Sequence, residues 1–143
     1  MKPKRLKVDY DYEFKLFGLI SSVKGFKLTW ALNNSLKTEL VKMDDIEFRK
    51  RDEKLYFVSG YEYNTPNSKY LLFKNRLTDT SGKDAGPLLP ELGQIDYFLR
   101  VDGESYPNTP DVISKKLKEL SIVEYSLQVN IDKLKSKENL LLY

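Results

Sequence analysis

The sequence predicts an α+β fold: a mainly antiparallel sheet of five to seven strands with two helices packed on one face. Three observations carry that expectation. The 143 residues include 10 Tyr and 7 Phe, rings that suit pleated, half-buried surfaces. Period-two alternation of apolar residues recurs along the chain. Apolar residues at helical spacing mark two stretches. A chain of this length buries roughly 70% of its unfolded surface. No repeat, low-complexity tract or linker interrupts it, so a single domain over 1–143 with one core is expected.

Residues 1–5 read as a flexible basic end. From Leu6 to Leu16 the even positions are Leu6, Val8, Tyr10, Tyr12, Phe14 and Leu16, and the odd positions from Arg5 to Lys15 are all charged. That is a strand with one buried face. Apolar parity then moves to Phe17 and Leu19 across Gly18, which predicts a β-bulge or a strand break. Two strands joined near Asp9 to Asp11 are the alternative.

Leu28, Leu32 and Leu36, four residues apart, predict a helix over Gly25 to Leu36. Phe26 and Trp30 lie roughly 160–200° round that helix from Leu28. The helix is therefore apolar on two faces. Ile46 and Phe48 mark a short strand, Leu55 to Tyr63 a longer one and Tyr70 to Leu77 a third, forming a meander. Arg49 to Lys54 supply its first turn, and Asn64, Pro66, Asn67 and Ser68 its second.

Residues 78–88, with Ser81, Gly82 and Gly86, read as an exposed loop. Ile95 to Val101 resumes as a strand. Thr109 can cap a second helix whose first turn holds Pro110 and Asp111. Val112, Ile113, Leu117 and Leu120 form its stripe. Val123 to Val129 alternate as a strand, and a last edge is expected at Leu140 to Tyr143.

The chain has no cysteine and no histidine, which removes the common zinc ligand sets, Cys-His and Ser-His-Asp catalysis and any imidazole acid or base. No metal and no cofactor is expected. Lys and Arg number 24 against 21 Asp and Glu. Lys2, Lys4, Arg5 and Lys7 account for that excess, and without them the balance is 20 to 21. A nucleic-acid module carries its basic face through the folded body, so nucleic acid is not an expected partner. Asp9, Asp11 and Glu13 interrupt any signal-peptide core. Uncharged runs such as Leu16 to Val23 are far short of the roughly 20 residues of a membrane span. A cytoplasmic protein with no membrane segment is the expectation.

Several constellations resemble chemistry without completing it. Ser21 and Lys24 have the Ser-x-x-Lys spacing of some acyl-enzymes, but with 11 Ser and 19 Lys in the chain such a pair arises by chance. Ser81, Gly82 and Lys83 are a fragment of a phosphate loop without the rest of its pattern. Asp44 with Asp45, and Asp79 with Asp84, lack the spaced oxygen donors of a calcium loop. Tyr56, Phe57, Tyr61, Tyr63, Tyr70 and Phe73 could stack single-stranded RNA. Leu55, Phe57, Tyr61 and Tyr63 share a parity, however, that suits a core face.

Leu88 to Tyr97 reads L-L-P-E-L-G-Q-I-D-Y and is the most distinctive stretch. It resembles the signature of a bacterial family, the IPExxxVDY family. Leu89, Pro90 and Glu91 stand at Ile-Pro-Glu, and Ile95, Asp96 and Tyr97 at Val-Asp-Tyr. The resemblance extends to V-D-Y-D-Y-E-F near the start, the L-T-W-A-L-N helix and the closing K-S-K-E-N-L-L-L. It implies a single bacterial cytosolic domain and assigns no role to Pro90, Glu91, Asp96 or Tyr97. Physically, Pro90 fixes φ where the loop ends. Glu91 and Asp96 bracket a turn at Gly93, where carboxylates can accept backbone N–H bonds.

The function expected from these residues is that of a non-enzymatic cytosolic protein-interaction module, self-associating or binding another protein, with Phe26 and Trp30 as anchors. The alternatives are a small-molecule-binding domain or enzyme using Glu91 and Asp96, and an RNA-binding accessory protein. A concave pocket beside Glu91 and Asp96 would favour the first alternative. A flat exposed patch around Trp30 would favour the module.

Overall fold

In a computed structural model of the chain, residues 13–50 and 52–140 are described. The elements are β1 (Lys15–Ile20), α1 (Gly25–Leu36), β2 (Val41–Lys42), β3 (Ile46–Arg49), β4 (Leu55–Val58), β5 (Gly60–Asn64), β6 (Ser68–Lys74), β7 (Tyr97–Gly103), α2 (Pro110–Glu119) and β8 (Tyr125–Gln128). Six strands form one antiparallel sheet in the order β2-β5-β6-β7-β1-β8, and β3 and β4 form a separate hairpin. The α+β architecture with a mainly antiparallel sheet is as the sequence predicts. Among the described residues no helix is long and apolar enough to cross a membrane.

The central strands are buried on both faces, so the sheet lies between two apolar layers instead of over one core. Phe17, Leu19, Leu72, Tyr97 and Leu99 face Leu28, Leu32 and Leu36 of α1 and Ile113 and Leu117 of α2. Leu16, Leu71, Phe73 and Phe98 face the opposite way. There they meet Ile46 and Val58 of the hairpin, Leu88, Leu89 and Ile95 of the loop before β7, and Val129 to Leu140 of the C-terminal segment. Phe73 and Phe98 are directly opposed across β6 and β7, their ring centroids 5.6 Å apart, and such aromatic cross-strand pairs reinforce register.

Burial of both faces changes the reading of Gly18. The switch of apolar parity there predicted a bulge or break, but β1 runs unbroken, with Phe17 opposite Leu99, Gly18 opposite Phe98 and Leu19 opposite Tyr97. A strand apolar on both sides needs no bulge to change parity. The layer above is close at this point: a Cβ at Gly18 would lie 3.2 Å from both the Ile95 and Leu127 side chains, tighter than an ordinary contact. The earlier part of the expected strand, residues 6–12, lies outside the described residues, as does the basic end over 1–5.

Helix α1 spans the expected residues. It has no side-chain cap at its start, and it ends with Lys37 in the left-handed conformation at φ 58°. Asn33 then folds the following chain back, its Oδ1 accepting from the Thr38 hydroxyl and the Leu40 N–H. Helix α2 begins with Thr109 as N-cap, its hydroxyl accepting from the Val112 N–H, and with Pro110 in the first turn.

The expected strand Leu55 to Tyr63 is two strands in different sheets. Residues up to Val58 pair with β3, the chain crosses at Ser59, and β5 pairs with β6. The outer edge of β4 is tied to Thr78 by reciprocal backbone bonds with Phe57. The third expected strand, Tyr70 to Leu77, stops at Lys74; of the last edge expected over Leu140 to Tyr143, Leu140 ends a 3-10 turn over Lys137–Leu140 and residues 141–143 lie outside the described residues. The exposed loop ends earlier than 88, because Leu88 is fully buried.

Candidate functional site

The distinctive Leu89 to Tyr97 motif is folded around one polar side chain that the sequence did not mark. Asn75, directly after β6, is fully buried. Its Nδ2 donates to the carbonyls of Leu92 at 2.9 Å and Ile95 at 3.0 Å, and its Oδ1 accepts from the Leu89 N–H at 2.9 Å. Its own N–H donates to the Asp96 carbonyl. One amide therefore satisfies backbone groups at both ends of the motif, which buried loop backbone requires.

The motif residues then tie this loop to the rest of the fold. Pro90 is exposed and opens a 3-10 turn over Pro90–Leu92, closed by the Gly93 N–H on the Pro90 carbonyl. Glu91 accepts from the Ser136 N–H and hydroxyl, which latches the C-terminal segment. Partial burial pushes the Glu91 carboxyl up, but the Ser136 bonds outweigh it and hold the group below its ordinary value. Asp96 accepts the Ser21 N–H at 2.8 Å. Tyr97 is buried and donates its hydroxyl to the Val23 carbonyl at 3.2 Å. Burial, with smaller contributions from Tyr61 and the Asp96 charge, pushes the Tyr97 phenol up.

Glu91 and Asp96 thus serve separate contacts. Asp96 lines a polar cleft of about 550 Å³ together with Tyr61, Lys74, Arg76, Asp84 and Tyr97; Glu91 does not line it.

Phe26 and Trp30 are on the outer face of α1, 59% and 71% exposed. They border a shallow apolar groove of about 810 Å³ between α1 and residues 120–122. Ala31, Leu120 and Ile122 complete its apolar lining, and Lys27 is its charged residue. Neither feature that the sequence reading set against the other is met in full: the cleft lies beside Asp96 but not Glu91, and the exposed rings of Phe26 and Trp30 border a groove, not a flat patch.

The remaining constellations have structural occupations. The Ser21 hydroxyl donates to the Ile122 carbonyl at 2.6 Å and is buried, so it is not presented to a substrate. Asp79 holds the loop tip, accepting from Ser81 and from the Lys83 N–H, and the Ser81 hydroxyl bond leads in holding its carboxyl below the ordinary value. Among the described residues no three acidic, His or Cys side chains gather as a metal site. The six rings considered for RNA stacking do not form one platform: Tyr56 and Phe57 sit in the hairpin, and Tyr70 and Phe73 belong to opposite layers.

Sequence reasoning also missed Arg100, which is almost fully buried on β7. It forks onto Asp102 at 2.8 and 2.9 Å and donates to the Leu140 carbonyl at 2.8 Å. The R-x-D spacing on one strand face was the available signal. No family model matches the chain, and no curated protein matches it.

Proposed function

We propose that this chain is a protein-interaction module that docks an apolar, acidic-flanked segment of another protein along α1, with Phe26 and Trp30 as anchors. The observation that carries the reading is the exposure of both rings beside an apolar groove. Large aromatic side chains held on a rigid element supply contact area at little entropic cost, and they dominate binding energy at protein interfaces. Charge supports the class of partner: from Lys24 to Thr38 the chain carries three lysines and no acidic residue. An acidic flank on the partner complements that face, and a second copy of α1 would not. The cytoplasm is the compartment this reading assigns, and the Leu89 to Tyr97 motif supports placement in the IPExxxVDY family.

Selection of a displayed random-peptide library against the chain tests the reading. Enriched peptides should combine an aromatic or aliphatic pair at helical spacing with Asp or Glu at the flanks. Enrichment of basic peptides, or a concentration-dependent dimer in sedimentation with no peptide enriched, would contradict it.

A further inference from the structure

The polar cleft is separate from the groove on α1 and has its own chemistry. Its size falls within the range of small-molecule sites. Its charged lining is balanced, with Lys74 and Arg76 against Asp84 and Asp96. The two signs differ in how far they are already satisfied. Asp96 takes the Ser21 N–H, and Asp84 takes Arg76 Nη2 at 2.6 Å and the Gly86 N–H at 2.9 Å.

The donors are less committed. Lys74 makes no ion pair among the described residues, although its charge helps to lower the Asp84 carboxyl after the leading Gly86 and Arg76 bonds. Arg76 commits only Nη2, which leaves Nε and Nη1 of a planar fork suited to an oxyanion. The Tyr61 hydroxyl has no protein acceptor among the described residues. It stands beside Gly25, where a Cβ would come within 3.0 Å of it.

We propose that this cleft binds a small anionic molecule, its carboxylate or phosphate held between Lys74 and Arg76 with the Tyr61 hydroxyl as a third donor. Tyr97 also lines the cleft, and its hydroxyl is held on the Val23 carbonyl.

Titration of the isotope-labelled chain, followed by backbone amide NMR, tests this with three probes. Inorganic phosphate and benzoate represent the two sources of oxyanion, and ethylammonium is the opposite-charge control. Phosphate or benzoate should move the Lys74, Arg76 and Tyr97 amides saturably, and the tighter of the two assigns the source. Lys74→Ala and Arg76→Gln should each weaken that probe by about tenfold, with Arg76→Lys losing less. The amide spectra of the variants report directly whether they fold. Ethylammonium binding in place of the anions, no movement of these amides at about 10 mM of either anion, or unchanged affinity in the Lys74→Ala, Arg76→Gln double variant would overturn the assignment.

Discussion

The Glu91 carboxylate holds Ser136, 45 residues further along the chain, by both its N–H at 2.8 Å and its hydroxyl at 2.6 Å. The C-terminal segment that this latch secures supplies Val129, Ile131, Leu134 and Leu140 to the layer opposite the helices. The Asn139 side chain, donating to the Leu88 carbonyl, adds a second tie.

Glu91→Gln should therefore destabilise the fold by about 1 kcal/mol at neutral pH, since an exposed charge-assisted bond is weakened by solvent. Because folding depresses the Glu91 carboxyl, its contribution is present above the ordinary glutamate pKa and is lost as pH falls through the folded value. Urea midpoints of parent and variant should differ at pH 7 and converge in acid. A difference that grows in acid would contradict the latch.

Asn75→Ala should cost more, about 3 kcal/mol, because it leaves the buried Leu89 N–H and Ile95 carbonyl without their partner, while the Leu92 carbonyl keeps only the Ile95 N–H. Urea unfolding reads the loss. A variant within 0.5 kcal/mol of the parent, about the scatter of surface substitutions, would mean that the motif does not depend on this amide.

Gly18→Ala places a methyl 3.2 Å from the Ile95 and Leu127 side chains. Both must give way, so the melting temperature should fall by an amount equivalent to about 1 kcal/mol. A rise would show that β1 has room at this position and that glycine is there for another reason.

The parts legible in the sequence are those written in local spacing. Leu28, Leu32 and Leu36 fixed α1, and Thr109 with Pro110 fixed the start of α2. Alternation located most strands but not their partners, because period two is the same in either sheet; hence Leu55 to Tyr63 looked like one strand. Parity also misled at Gly18, where it reports a second buried layer and not a bulge. The site was legible only as residues. Phe26 and Trp30 stood out through their angle on the helix, whereas Glu91 with Ser136 and Asn75 with the Leu89 loop are distant pairings that no local pattern marks. The cleft required the fold, since Tyr61, Lys74 and Asp96 lie on three strands or their ends.

Trp30→Ala tests the central claim most directly, measured as the affinity of the selected acidic-flanked peptides for parent and variant at matched folding. An indole 71% exposed should leave the urea midpoint within about 0.5 kcal/mol of the parent. As an anchor, its loss should weaken the peptides by at least about 2 kcal/mol, some thirtyfold. Unchanged peptide affinity in a folded variant would contradict the account, and so would a stability loss of about 3–5 kcal/mol, the signature of a buried ring.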